Sequence, residues 1–298
     1  MLKELRLHGD VEEHTSIKFL NTYHIGGTTR YLISPNSIND LIAVLKILKE
    51  NNINYFILGN GSNIIFNSRE YNGAIIRLNK LNGIEIHPDM EMVYAEAGVL
   101  LPKLSQDVVN ESLTGLEFAA GIPGTVGGAI YGNAGAYNAC ILDYVESVTV
   151  LDEKYNVKIL EHEDITYSYR TSMFKEKKNM IILAVKFFLK KGDKENSLKV
   201  LEDRRRRRLE SQPLEYPSAG SVFRNPEGDF AGRLIESCEL KGHRIGGAEV
   251  SKKHANFIIN IENATSEDIY ELINYVHDTV LHKTNVDLII EQEFIDWE

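Results

Sequence analysis

The sequence predicts a chain of two domains that mixes helices and strands, and three observations predict it. A strand–helix–strand pattern runs from Arg30 to Leu58. Strand-like pieces separated by turns continue through residue 98 and return from Val145 to Leu189, whereas the last well-marked apolar stripe, Ile269 to Val280, has helical spacing. The length of 298 residues fits two domains at roughly 100–200 residues each. The polar stretch Gly192-Asp193-Lys194-Glu195-Asn196-Ser197 marks the expected boundary. The expected partition is an N-terminal segment over 1–26, a first domain over 27–191 and a second over 192–298.

Taken in order, the first ~25 residues read as a short helix and a connector. Arg30 to Pro35 reads as a strand ended by a proline turn. Ser37-Ile38-Asn39-Asp40 has capping-box form and opens a stripe at Leu41, Val44, Leu45 and Leu48. Asn51-Asn52 ends that helix, and Tyr55 to Leu58 reads as a buried strand. Ser147 to Leu151 is strand-like. So is Ile181 to Leu189, which contains Lys186 and is far short of the ~20 apolar residues of a membrane span. A charged helix through Arg208 follows the polar break, then a proline-rich turn from Gln212 to Ser218. Thr265 to Asp268 caps the last helix, with Ile269, Leu272, Ile273, Val276 and Val280 as its apolar face. Asp287 to Ile295 reads as a closing strand.

Composition narrows the class. There are 33 Lys+Arg against 43 Asp+Glu, a net charge of −10, so a general polyanion binder is excluded and no nucleic-acid partner is expected. Cys140 and Cys238 form neither a disulfide framework nor a cysteine zinc site. Met1 to His8 interleaves charges and lacks a signal-peptide apolar run, so a cytoplasmic protein without membrane insertion is expected.

Five segments carry candidate chemistry. Gly59-Asn60-Gly61-Ser62-Asn63 follows a strand directly. Its glycines permit close backbone approach, and its N–H groups, with the Ser62 hydroxyl and Asn63 amide, suit an anionic oxygen. An ordinary Gly-Asn turn accounts for the same residues. The block Gly121-Ile122-Pro123-Gly124-Thr125-Val126-Gly127-Gly128-Ala129, with Gly132-Asn133-Ala134-Gly135-Ala136, has nothing large enough to fill a core layer. It suits a flat, rigid ligand, or else a tightly wound structural loop. Two such loops fit a long ligand with a pyrophosphate and a ring system. Neither a P-loop nor a Gly-x-Gly-x-x-Gly fingerprint occurs.

Arg170, in Tyr167-Ser168-Tyr169-Arg170-Thr171-Ser172, suits a carboxylate through two parallel hydrogen bonds, or a solvated strand end. Ser221 lies in a turn before Arg224 and Asn225, outside any Gly-x-Ser-x-Gly elbow. Glu291 and Glu293 share one strand face, and spacing alone does not separate acid–base work from solvation. Arg204 to Arg208 point all around a helix and read as a solvated surface, with one or two side chains within reach of a phosphate. Taken singly, His254 reads as packing.

Together these segments resemble the UDP-N-acetylenolpyruvoylglucosamine reductase (MurB) family. The resemblance rests on Leu58 to Asn63, Gly121 to Asn138, Tyr169 to Phe174, Gly220 to Pro226, and Leu240-Lys241-Gly242 through His254-Ala255-Asn256-Phe257. They run in the family's order from about Thr22 to Ile295. The resemblance implies an FAD-binding domain of PCMH or vanillyl-alcohol-oxidase type followed by an α+β substrate domain. It also implies FAD and NADPH as cofactors, and UDP-N-acetylglucosamine enolpyruvate as a small-molecule substrate reduced to UDP-N-acetylmuramate by hydride from the flavin. A monomer is expected. The implied cofactor residues are Gly59, Asn60, Gly61, Ser62 and Asn63, then Gly121, Ile122, Pro123, Gly124, Thr125, Gly127, Gly128, Asn133, Gly135 and Ala136.

By the same resemblance, Arg170 and Glu293 polarise the substrate carboxylate and Ser221 protonates the α carbon. The family pattern selects Glu293 over Glu291. Tyr169, Arg224, Asn225, His254 and Asn256 are the implied substrate contacts. Glu293 must then act as a protonated donor, a form that burial beside Ile289 and Ile295 is expected to favour. No room exists between Leu189 and Gln212 for the long insertion of one branch, so the chain is similar to the type II branch. Arg224 stands where the family often has lysine.

Overall fold

Local capping chemistry sets the first long helix. In the computed structural model, which describes residues 1–177 and 179–297, the Ser37 hydroxyl accepts the Asp40 backbone N–H at 3.1 Å, and helix Ile38–Glu50 follows. Its Leu41, Val44, Leu45 and Leu48 are buried, as the spacing requires. Strand Tyr55–Leu58 runs parallel to Ala74–Arg77. Expected as a buried run, it is fully buried only at Leu58, because it is the edge strand of its sheet. The amino-terminal stretch also differs from expectation. Helix Leu2–Leu5 is followed by a strand, Gly9–Ser16, whose polar sequence carries no alternation to announce it.

The chain divides into two compact units, neither continuous in sequence. The first comprises Met1–Glu12, Tyr31–Asn60 and Gly73–Arg207; the second comprises Glu13–Arg30, Gly61–Asn72 and Arg208 onward. Residues 192–207 thus pack with the first unit, beyond the boundary expected at Gly192. Asp193 is a helix cap, not a linker residue. Its carboxylate accepts the N–H groups of Glu195 (2.9 Å) and Asn196 (3.2 Å), and helix Lys194–Ser211 buries Leu201 in the first core.

The first unit is built on an antiparallel five-stranded sheet in the order Val157–Glu161, Val145–Leu151, Ile181–Phe188, Met92–Glu96, Ile84–His87. The middle strand is buried at Ile181 to Val185 and at Phe187, a near-continuous apolar run suited to a strand covered on both faces. Glu117 is one of the buried carboxylates of this unit. Glu117 accepts Thr114 Oγ1 and Ser197 Oγ, each at 2.6 Å, and the Gly115 N–H at 2.8 Å. Burial alone pushes its pKa up, but these hydrogen bonds, with one from its own backbone, outweigh burial and hold it below the usual value.

A depressed folded-state pKa stabilises the fold above the unfolded carboxyl's pKa of about 4.3, and that stabilisation is lost as pH falls through the folded value. Glu117→Gln sets an amide where three donors converge, so it is expected to cost about 1–3 kcal/mol at neutral pH. It is also expected to flatten the acid limb of stability. Melting temperatures of both proteins between pH 3 and 7 check this, and parallel acid limbs would refute it.

The second unit packs helices Ala231–Ser237 and Ser266–Thr284 with a three-stranded antiparallel sheet, Arg244–Ile245, Ala248–Val250 and Ile258–Asn260. Thr265 and Asp268 form the expected capping box, and the Ile269–Val280 stripe is buried. The closing strand is shorter than expected. The chain bridges at Ile290, bends at Gln292 and becomes a strand only over Glu293–Ile295, parallel to Ile64–Phe66. No helix of the described residues is long and apolar enough to cross a membrane.

Candidate active site

In the first unit the two glycine-bearing loops meet. The Asn60 amide donates to the Pro123 carbonyl at 2.7 Å, and a Cβ on Gly59 would lie 2.8 Å from Thr125 Oγ1. Only glycine permits this approach. Thr125 also accepts the Gly128 N–H at 3.3 Å, which opens the short helix Val126–Gly132. Around this junction Ile122 and Gly124 are half-buried and Pro123 and Gly128 are exposed, so the surface left open is small-residue backbone that fits a flat cofactor with a pyrophosphate.

Other members of the block serve the scaffold. The Gly127 N–H donates to the Ala97 carbonyl at 2.9 Å, and a Cβ there would lie 2.9 Å from the Ala97 methyl. Asn133, left-handed at φ 45°, donates to the Ser168 carbonyl at 2.9 Å and accepts the Leu142 N–H at 3.4 Å. Gly135 lies close to the Ala139 carbonyl in a hairpin with Ala136. The Gly127 N–H and the Asn133 side chain are thus engaged within the protein.

The Asn133–Ser168 bond ties this block to the hairpin that carries Arg170. Strands Tyr167–Ser168 and Thr171–Ser172 are joined through Tyr169 and Arg170, and Ser172 Oγ donates to the Tyr131 carbonyl at 2.7 Å. Arg170 has φ 59°, an uncommon conformation for a long side chain that fixes its direction of departure. Its guanidinium lies 5.4 Å from the exposed Tyr169 ring. The two residues present one half-exposed, positively charged face.

The second unit holds the other candidates. Gly61, at φ 64°, lies against the Leu20 carbonyl, and the Asn63 amide donates to the Glu291 carbonyl at 3.1 Å. Gly220, at φ 75°, turns the chain into the segment Ser221 to Asn225, which is held from both sides. Ser221 bridges Phe257, the Val222 N–H donates to Asn256 O at 2.9 Å, and Phe223 bridges Ile290. Asn256 is buried and spends its side chain on one residue, accepting the Phe223 N–H at 3.0 Å and donating to the Phe223 carbonyl at 2.8 Å. Asn256 clamps the serine segment.

His254 is also structural in its surroundings. Its Nδ1 accepts the Asn256 N–H at 3.2 Å, its ring meets Phe257 edge-on at 4.8 Å, and burial lowers its pKa. Asn225 is exposed and accepts the Ala231 N–H at 3.1 Å, at the start of helix Ala231–Ser237. Arg224 is half-buried, its N–H anchored on the Ile289 carbonyl at 2.9 Å.

Glu291 and Glu293 flank a buried Gln292. The Glu291 N–H donates to Val222 O at 2.8 Å and the Glu293 N–H to Asn63 O at 3.0 Å, so the acidic strand runs beside the serine segment. One expectation fails: Ile289 is 61% exposed and does not wall a carboxylate from water. Gln292 and Tyr23, which the Tyr23 hydroxyl joins at 3.1 Å, were not singled out as candidates. Period two was the available signal, since it sets Gln292 on the face opposite both glutamates. In the first unit, the arginine run is less uniformly solvated than expected. Arg204 stacks on Tyr137 at 4.7 Å, Arg205 bonds Gln106 at 2.9 Å, and Arg206 and Arg207 both reach Asp203.

Both parts of the chain match known protein families. Residues 29–158 match the FAD binding domain family, and residues 212–295 match the family of UDP-N-acetylenolpyruvoylglucosamine reductase C-terminal domains. The UDP-N-acetylenolpyruvoylglucosamine reductase of Caldicellulosiruptor bescii is 45% identical over 94% of this chain and 88% of its own. That of Clostridium novyi is 43% identical over 97% and 93%. The crystal structure of the Thermus caldophilus enzyme (MurB) superposes with a TM-score of 0.81 at 30% identity, covering 96% of this chain and 98% of the other. Berberine bridge enzyme from Eschscholzia californica, at 17% identity, shares the fold over 65% of this chain and 43% of its own, with a TM-score of 0.51.

Fold and matches define a flavoprotein oxidoreductase with a PCMH or vanillyl-alcohol-oxidase type FAD-binding domain followed by an α+β domain. Within that class, the chain belongs to the UDP-N-acetylenolpyruvoylglucosamine reductase family.

Proposed function

We propose that the chain reduces UDP-N-acetylglucosamine enolpyruvate to UDP-N-acetylmuramate for peptidoglycan precursor synthesis, as a cytoplasmic monomer drawing electrons from NADPH. The observation that carries this reading is the likeness to a reductase of that name at 45% identity over 94% of the chain. Bound FAD supplies the hydride chemistry, and Gly59, Asn60 and the Ile122–Thr125 loop are the residues that fit it. Negative charge grows on the substrate carboxylate as the enolpyruvyl double bond is reduced. Donors fixed there lower the barrier more than they stabilise the ground state.

Arg170, aimed by its left-handed backbone, supplies one such donor and Glu293 the other. Ser221 delivers a proton to the α carbon from a segment fixed at Val222 and Phe223. Tyr169, Arg224 and Asn225 complete the proposed substrate surface. The test is an anaerobic two-step titration of the purified holoenzyme. NADPH is expected to bleach the flavin absorbance, and the enolpyruvyl sugar nucleotide to restore it in equimolar amount. Bleaching without restoration would overturn the reading.

A further inference from the structure

Gln292 belongs to none of the proposed contacts, yet it is 4% exposed and makes two hydrogen bonds across the second unit. Its Oε1 accepts the Tyr23 hydroxyl at 3.1 Å, and its Nε2 donates to the Ala219 carbonyl at 3.1 Å. Tyr23 is fully buried, and burial pushes its pKa well up, so the hydroxyl stays a donor. A donor on one side fixes which end of the Gln292 amide carries oxygen, and leaves the NH₂ end for the carbonyl. Tyr23 is itself held, its carbonyl accepting the Asn260 amide at 3.0 Å.

Two consequences follow from position. Ala219 lies two residues before Ser221, across the left-handed Gly220, so the Gln292–Ala219 bond fixes the chain entering the serine turn. Asn256, bonded to Phe223, fixes the chain leaving it. Gln292 also directly precedes Glu293 and sits at the bend where the acidic strand begins. We propose that Gln292, oriented by Tyr23, is a positioning residue that sets the register of Ser221 relative to Glu293. It touches no substrate and acts by holding the two groups that do. The inference rests on the proposed proton-donor role of Ser221.

Gln292→Glu and Tyr23→Phe are the variants to compare with the parent. Assayed at a pH high enough to ionise it, the glutamate keeps size and still accepts from Tyr23 but offers no donor to Ala219. Both half-reactions are followed anaerobically on the holoenzyme. For Gln292→Glu, flavin reduction by NADPH is expected within twofold of the parent, whereas reoxidation by the enolpyruvyl sugar nucleotide slows at least tenfold. The solvent deuterium isotope effect on reoxidation is expected to rise, because delivery of the solvent-exchangeable proton becomes limiting. Tyr23→Phe, which leaves the Ala219 bond in place, is expected to slow reoxidation only a few-fold.

Equal losses in both half-reactions, an unchanged isotope effect, or parent-like reoxidation in Gln292→Glu would each overturn the positioning role. Ser221→Ala in the same assay separates the two levels. If it reoxidises at the parent rate, the proton-donor reading falls. If it is slow while Gln292→Glu is not, only the positioning role falls.

Discussion

Ser221→Ala is expected to slow reoxidation of the reduced flavin by the enolpyruvyl sugar nucleotide about 10²–10⁴-fold, the range of a positioned general acid. Reduction of the flavin by NADPH is expected to stay within about twofold, because that step needs no proton at the α carbon. The fold makes the contrast clean. Ser221 bridges Phe257, while the backbone on its carboxyl side is held by Asn256 and by the Val222–Glu291 hydrogen bond. Loss of one half-buried hydroxyl removes none of these, and stability should change by less than about 0.5 kcal/mol. Rapid-mixing measurement of each half-reaction reads the effect directly. Comparable losses in both would contradict a proton-donor role.

The second large effect is expected at the carboxylate donors. Arg170→Ala is expected to lower the rate of substrate reduction about 10²–10³-fold, as removal of a fixed donor to a developing oxyanion does elsewhere. Arg170→Lys is expected to recover little of it. Lysine keeps the charge, but it lacks the planar fork, and the φ of 59° at this position has fixed the direction from which the side chain departs. Glu293→Gln is expected to retain more activity than Glu293→Ala, since the amide still donates. Glu291→Ala is the control for register. Turnover of the four variants at saturating substrate decides between them, and a crippled Glu291→Ala beside an active Glu293→Ala would move the role to Glu291.

Elements whose signal is local were legible in the sequence. The Ser37 N-cap and the Thr265 capping box, with the stripes that follow them, stand in the structure. The glycine loops read as close-approach backbone, and Gly59 against Thr125 is such an approach. What was not legible is what depends on distant partners. Strand Gly9–Ser16 has no apolar alternation, and pairing with the single strand Thr28–Pro35 makes it a strand. Asn133 and Asn256 look alike in sequence to ligand-binding amides, yet each is engaged with backbone from another segment. Ile289, expected to shield a carboxylate, is exposed and lies outside any strand. The resemblance supplied the roles; spacing alone left Glu291 and Glu293 tied.

The parallel pairing of Ile64–Phe66 with Glu293–Ile295 also carries a consequence for biosynthesis. When residues 64–66 leave the ribosome, their strand partner is still about 230 residues away. At roughly 5–20 residues per second, that partner emerges some 10–45 seconds later. Once Arg207 has emerged, all of the first unit's chain is available to fold, yet the early segment keeps an unfilled edge for about the last 86 residues before Glu293. Nascent chains stalled before Glu293 should therefore carry a protease-resistant first unit with residues 61–72 still open to cleavage.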